Sequence, residues 1–143
     1  MMTIAINRLD DAFHLEAANE DGRSVQIDAA PAIGGHNAGM RPMQLLLAAI
    51  GSCSVFDVLL ILKKQRQDVR DVKITVTGKR ADTVPAPFTG IDLHFTFFGD
   101  LKSEKVAQAV RLGVENYCSV GATLDKTVKV TYSFTIQPFV PQL

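Results

Sequence analysis

The feature that most constrains this chain is an almost unbroken apolar run over residues 45–62, about 18 residues, which is the length of a membrane-spanning helix. Its centre carries Gly51, Ser52, Cys53 and Ser54, and it also contains the ionisable Asp57, groups that a lipid-facing segment rarely holds. The sequence on either side alternates between apolar and polar residues, as strands do. We therefore predict no membrane span. We expect instead a helix buried on nearly all sides, with a second copy of the chain covering the face that the first leaves open.

Composition narrows the classes of function. The chain has 143 residues, enough for a single domain over residues 1–143 with its own core. Its 15 basic and 15 acidic residues cancel and are dispersed, so we expect neither nucleic acid nor an anionic membrane as a partner. Residues 1–10 contain no apolar segment of the signal-peptide kind. The sequence therefore predicts a cytoplasmic protein whose two cysteines are free thiols.

The hydrophobic periodicity predicts six strands and two helices. Pro42 suits the first turn of the apolar helix, which we expect to run to about Gln67. A second, amphipathic helix is predicted over residues 103–117, with an apolar stripe that ends at Tyr117. The predicted strands cover residues 3–6, 13–17, 24–28, 72–77, 91–98 and 128–136. This order predicts an α+β fold with antiparallel strand pairing and helices on one face of the sheet.

Two stretches of the sequence carry the cysteines. Residues 42–69 read PMQLLLAAIGSCSVFDVLLILKKQRQDV and place Cys53 inside the apolar helix, whereas residues 115–124 read ENYCSVGATL and place Cys118 at the end of the second helix. Together the two stretches resemble the OsmC-like family, which includes organic hydroperoxide resistance proteins. The helix end at residues 60–64 and the strand sequence FTGIDLHF resemble its YhfA-like branch. The resemblance covers essentially the whole chain and implies an OsmC-like fold, an intertwined homodimer whose central helices pack between two sheets.

The resemblance also implies a chemistry. In peroxidase members of the family, one cysteine attacks a hydroperoxide and a second cysteine resolves the resulting sulfenic acid as a disulfide, which a dithiol donor then reduces. By position, the resemblance gives the first role to Cys53 and the second to Cys118, and it implies no cofactor. It further implies an arginine from the N-terminal strands beside the reactive cysteine. Arg8 is the nearest positional equivalent, and Arg23 is the alternative.

The surroundings of Cys53 in the sequence call for such a cation. A peroxide is reduced by a thiolate, and apolar burial and an ionised Asp57 one turn further along would both disfavour a Cys53 thiolate. Arg41 precedes Cys53 by roughly 18 Å of straight helix, which is too far for it to act within one chain. We therefore expect the cation to come from another element or from a partner subunit.

The start of the apolar helix departs from the family pattern. Peroxidase members carry a glutamate directly after the proline, where this chain has Met43. YhfA-like members carry it one residue later, where this chain has Gln44. An amide hydrogen-bonds but has no charge with which to orient an arginine. The predicted substrate-binding residues are Met43, Gln44, Phe56 and Asp57.

Two functions follow from this pattern. The first is a thiol-dependent reductase of organic hydroperoxides that acts in stress defence or detoxification. The alternative is a catalytically weak OsmC-like dimer that binds an apolar small molecule at the subunit interface.

Structural roles remain open for the same residues. A buried cysteine often serves as a small apolar side chain, and at a helix C-terminus the dipole would oppose a Cys118 thiolate. Asp57 inside an apolar helix would suit an ion pair, for example with Arg80 or with a basic residue of a partner. The histidines and cysteines show no metal-ligand spacing, so we predict no metal site.

Overall fold

The structure, a computed structural model, describes residues 1–142, and it has the predicted α+β class. Six strands and two longer helices follow one another in the predicted order, and a short third helix precedes the last strand. The strands are β1 (Ala5–Arg8), β2 (Leu15–Ala18), β3 (Ser24–Ile27), β4 (Asp71–Arg80), β5 (Phe88–Phe98) and β6 (Lys129–Gln137). The helices are α1 (Pro42–Lys64), α2 (Ser103–Leu112) and α3 (Ser119–Thr123).

The first of two compact units, Met1–Leu46, contains the sheet β1-β2-β3, which is antiparallel throughout. The loop that follows β3 is organised by the buried Asp28. Its carboxylate accepts backbone N–H groups from Ala29, His36 and Ala38 at 2.7, 3.0 and 3.0 Å. The hydrogen bond from Ala38 is the largest influence on the pKa of Asp28, which lies below its ordinary value. The carboxylate thus replaces the regular backbone pairing that the loop lacks.

The second unit, from Leu47 onward, contains the sheet β4-β5-β6. Strands β4 and β5 are antiparallel, as predicted, but β6 runs parallel to β5 with Gly90 opposite Lys129 and Phe98 opposite Gln137. The prediction of antiparallel pairing throughout was therefore wrong for the last strand. The reason is the connection, because α2 and α3 carry the chain back to the other end of the sheet before β6 begins.

The core of the second unit follows the predicted alternation. The side chains of one face of β5 are fully or almost fully buried, and helix residues from α1 and α2 are buried with them. Helix α1 approaches β4 closely at Gly51, where an added Cβ would lie 2.7 Å from Cγ2 of Val76. The buried apolar residues of β5, α1 and α2 are Phe88, Ile91, Leu93, Phe95, Phe97, Ile50, Val55, Val58, Leu62, Val106, Ala109 and Val110.

Helix α1 begins at the predicted proline and ends three residues before the predicted end. Only one of its faces is buried within the chain, and the expected covering of the other face by a second copy stays a prediction. The opposite face exposes Phe56 and Leu60, which are 66% and 58% accessible. By length and composition alone α1 is able to cross a membrane, although its buried face packs against the chain's own sheet.

The second predicted helix is interrupted. Helix α2 ends at Leu112 and continues as a single π-helical turn, Gly113–Tyr117. A π turn holds more residues than an α turn and therefore rotates the side chains that follow it. For this reason Tyr117 is 58% exposed and does not extend the apolar stripe, contrary to the prediction.

Candidate redox site

The two cysteines lie side by side in the second unit. Cys53 is half-buried on α1, and Cys118 is buried where the π turn meets α3. Both are free thiols. The Cys53 thiol is close enough to Cys118 to raise the pKa of the Cys118 thiol. One thiol is therefore open to approach from outside, whereas its neighbour is enclosed by protein.

Cys118 occupies a junction that the sequence predicted only in part. It ends the π turn, as expected of a helix C-terminus, but it is also the N-cap of α3. Its Sγ accepts the backbone N–H of Gly121 at 3.2 Å, and its S–H points toward the carbonyl oxygen of Ile50 at 4.0 Å. The sequence predicted that the negative end of a helix would disfavour a Cys118 thiolate, whereas in the structure a backbone N–H donates to the sulfur.

The pKa of the Cys118 thiol is raised above its ordinary value, chiefly because burial removes the thiolate from water. The neighbouring Cys53 raises this pKa further, and the Ser54 side chain and the N–H of Gly121 lower it without reversing the balance. Cys118 is therefore a neutral thiol at neutral pH.

The sequence predicted no role for Ser54. Its hydroxyl is fully buried and forms no hydrogen bond of normal geometry within residues 1–142, yet it lies near enough to the Cys118 sulfur to favour its ionisation. The neighbouring Ser52 is exposed and donates to the carbonyl oxygen of Ala48 at 2.8 Å, as serines in helices commonly do. The sequence signal that pointed to Ser54 was a hydroxyl group on the most apolar face of the helix.

The position of Cys118 depends on a close contact between the π turn and α1. A Cβ added to Gly113, the first residue of the turn, would lie 2.6 Å from Cγ2 of Val58 and 3.3 Å from the carbonyl oxygen of Ser54. Only a residue without a side chain fits at this distance. Gly113 thus lets the backbone that leads to Cys118 pack directly on α1.

Two of the predicted substrate-binding residues lie on α1 near Cys53. Phe56 is exposed, and Asp57 is half-buried on the same helical row as Cys53, one turn further along. The suggested ion pair with Arg80 is wrong. Within residues 1–142 Asp57 forms no ion pair, and Nε of Arg80 donates instead to the carbonyl oxygen of Ala86 at 2.9 Å.

The other predicted site residues belong to the first unit. Arg8 is exposed at the end of β1, and Met43 is half-buried in the first turn of α1. Oε1 of Gln44 accepts the backbone N–H of Arg41 at 2.9 Å and so caps the start of α1. Their part in the redox site stays a prediction. No cluster of three or more His, Cys, Asp or Glu side chains able to hold a metal ion occurs in the part of the chain that the structure describes.

Comparison with known proteins identifies the family. The profile of the OsmC-like protein family matches residues 35–133, which include both cysteines. Protein YhfA of Escherichia coli strain K12 is 47% identical over 96 residues, which cover 66% of this chain and 72% of that protein. This relative agrees with the YhfA-like branch that the helix end at residues 60–64 and the strand sequence FTGIDLHF indicated.

Solved structures show the same fold. A hypothetical protein from Aquifex aeolicus VF5 has a TM-score of 0.78 and 31% identity, covering 96% of this chain and 98% of the other. The organic hydroperoxide resistance protein OhrB of Bacillus subtilis has a TM-score of 0.68 and 20% identity, covering 94% and 98%. The chain belongs to the OsmC-like family.

Proposed function

We propose that this protein is a thiol-dependent reductase of organic hydroperoxides, with Cys53 as the attacking residue and Cys118 as the resolving residue. The observation that carries the proposal is the pair of adjacent free thiols, one half-exposed and one buried. Such a pair suits a sequence in which the outer sulfur meets the substrate and the inner sulfur traps the product. The resemblance in fold to an organic hydroperoxide resistance protein supports this choice of substrate class.

The proposed reaction has three balanced steps. The Cys53 thiolate attacks the terminal oxygen of the hydroperoxide, the O–O bond breaks, and Cys53 becomes a sulfenic acid, while the departing alkoxide takes up the proton that the Cys53 thiol had released and leaves as an alcohol. The Cys118 sulfur then attacks the Cys53 sulfur, a disulfide forms, and the hydroxyl leaves as water. A dithiol reductant finally exchanges with the disulfide, becomes oxidised, and restores both thiols.

The proposal includes a homodimer. Helix α1, which carries the half-buried Cys53, and the π turn that leads to Cys118 expose the apolar side chains Phe56, Leu60 and Tyr117. A second copy covering this surface would remove it from water and surround Cys53 with an apolar wall suited to an organic peroxide. We place the protein in the cytoplasm, where its thiols stay reduced and a dithiol donor is available.

The decisive experiment follows thiol loss in the purified, reduced protein after one equivalent of cumene hydroperoxide. We expect the wild type to lose two thiols, Cys53→Ser to lose none, and Cys118→Ser to stop at a sulfenic acid that dimedone traps. Ser52→Ala, a change in an exposed neighbour, serves as the control and should react as the wild type does. A wild type whose two thiols remain free after this treatment overturns the proposal.

Arg8 is the proposed cation for the Cys53 thiolate, and a paired substitution tests it. Arg8→Ala should slow peroxide consumption by roughly tenfold or more, because a charge-assisted contact contributes about 1.5–3 kcal/mol. Arg23→Ala removes an equally exposed arginine of the same unit and should leave the rate unchanged. Equal rates for wild type and Arg8→Ala would remove Arg8 from the mechanism, and slowing by Arg23→Ala alone would assign the role to Arg23.

The exposed apolar surface favours one second candidate, a dimer that binds an apolar small molecule at the subunit interface without efficient turnover. The neutral Gln44, whose amide oxygen already caps α1, fits this alternative because the site then lacks the family carboxylate. Binding of a fluorescent apolar probe that survives Cys53→Ser, together with no peroxide consumption by the wild type, would favour it. Loss of probe binding in Cys53→Ser would count against it.

A further inference from the structure

A buried hydroxyl without a partner stands beside the buried thiol. Ser54 is 0% exposed and its Oγ has no hydrogen-bond partner in the described part of the chain. A buried polar group that lacks a hydrogen-bond partner destabilises the folded state. A serine in a helix ordinarily avoids this cost by donating to the carbonyl oxygen four residues earlier, as Ser52 does to Ala48 at 2.8 Å.

The carbonyl that would ordinarily receive the Ser54 hydroxyl is that of Ile50, and this oxygen is also the one toward which the Cys118 S–H points, at 4.0 Å. The Cys118 thiol therefore points to the carbonyl oxygen that a helical serine at position 54 would ordinarily use, and the Ser54 hydroxyl does not donate to it. The neutral thiol can donate to the Ile50 oxygen, and in that state it has no need of the serine. A thiolate has no proton to donate and can only accept.

Loss of the Cys118 proton thus changes which hydrogen bonds are available. The N–H of Gly121 already donates to Sγ at 3.2 Å, and the hydroxyl of Ser54 is a further donor near the sulfur. A hydroxyl rotates freely about its C–O bond and can turn its hydrogen toward the sulfur once negative charge develops there. The Ser54 hydroxyl, which has no hydrogen-bond partner beside the neutral Cys118 thiol, would therefore gain an acceptor beside the Cys118 thiolate.

We propose that Ser54 is the hydrogen-bond donor that stabilises the Cys118 thiolate and thereby prepares Cys118 for its attack on the oxidised Cys53. The inference rests on the proposed function for its place in the reaction, but the donor role itself does not. In the resolving step the thiolate forms the S–S bond, the S–O bond of Cys53 breaks, and the departing hydroxide takes up the proton that Cys118 released. Ser54 keeps its own proton throughout and acts by position.

The first test measures ionisation directly, without any peroxide. In a Cys53→Ser background Cys118 is the sole thiol, and thiolate absorbance near 240 nm reports its titration. Ser54→Ala should move the midpoint about one pH unit higher, which corresponds to about a tenfold smaller thiolate fraction. Ser52→Ala, the matched control on the exposed side, should leave the midpoint in place. An unchanged midpoint in Ser54→Ala overturns the donor role.

The second test places the residue in the reaction. With both cysteines present, Ser54→Ala should form sulfenic acid at the wild-type rate but form the disulfide about tenfold more slowly at neutral pH, with the difference shrinking as pH rises. Ser54→Ala should also retain or raise the melting temperature, since it removes an unpaired buried hydroxyl. A wild type that never oxidises refutes the proposed function alone. A wild type that forms the disulfide no faster than Ser54→Ala refutes this inference alone.

Discussion

The two faces of α1 have the same apolar character in the sequence and opposite situations in the structure. One face, which includes Ile50, Ser54 and Leu62, is buried within the chain, where α1 closely approaches β4 and the π turn. The other exposes Phe56 and Leu60. Hydropathy therefore predicts that a side chain will be removed from water, but it does not predict which element or subunit will cover that side chain. The two cysteines lie at the boundary, because Cys53 is half-buried between the faces and Cys118 contacts the buried side.

The largest expected effect contrasts two leucines of α1. Leu62→Ala should lower the free energy of unfolding by about 2–5 kcal/mol, because Leu62 is 0% exposed and its loss leaves a cavity. Leu60→Ala, at a residue 58% exposed, should cost less than about 1 kcal/mol within one chain. Urea denaturation at low protein concentration measures both. Equal losses at low concentration would mean that the two faces are packed equally and would break the comparison.

The next effect concerns the contact between the π turn and α1. Gly113→Ala should lower the free energy of unfolding by about 1–3 kcal/mol, since its methyl group would lie 2.6 Å from Cγ2 of Val58. Disulfide formation after peroxide treatment should slow as well, because the backbone leading to Cys118 must move. Gly90→Ala is the control, as its nearest neighbour would be an ordinary 3.6 Å away. If both alanines are equally tolerated, the close packing is not what positions Cys118.

A smaller effect is expected at the exposed face. Phe56→Lys should weaken self-association at least about tenfold, because it places a charge on the surface that we assign to the partner subunit. Sedimentation across a dilution series measures the change. Ala107→Lys, at an exposed position of α2, should leave association unaltered. A wild type that sediments as a monomer at every concentration would contradict the assignment and leave the face open to another occupant.

The smallest effect is a dependence on alkaline pH. Burial raises the pKa of Cys118 in the folded state, so that above pH 9, near the ordinary value, the unfolded chain releases this proton first. The free energy of unfolding should therefore fall as pH rises through this range, and Cys118→Ala should remove that part of the fall. Denaturation at pH 7 to 10.5 compares the two. A constant difference between wild type and variant across the range would contradict the raised pKa.

Much of the fold could be predicted because the patterns are local. The alternation along β5 and the proline at the start of α1 each specify one element, and both elements begin and end within a few residues of the predicted positions. The parallel pairing of β6 could not be predicted in this way, because it depends on where the crossover returns the chain. The π turn could not be predicted for a related reason. Periodicity over residues 103–117 averages across an irregular turn and conceals it.

The candidate site was predictable to the extent that it contains cysteines. Cys53 and Cys118 are the only two in the chain, and the motifs around them carry the family resemblance. Ser54 was not predictable as a partner of Cys118, because its importance depends on a distance between two segments and on an unmade hydrogen bond. The ion pair of Asp57 with Arg80 was wrong because a helix position does not specify which distant side chain of the chain lies beside it.

The extra residue in the π turn divides this segment into two parts, in which changes of sequence have different effects. Upstream of it, α2 keeps Val106 and Val110 in the core, and a substitution there acts on folding. Downstream, the direction of Cys118 depends on the length of one turn of backbone. Deleting a single residue between Gly113 and Tyr117 would restore an α turn and rotate the second sulfur by about 100° while leaving the packed part of α2 untouched. A deletion in this turn would therefore separate the two thiols without changing either cysteine.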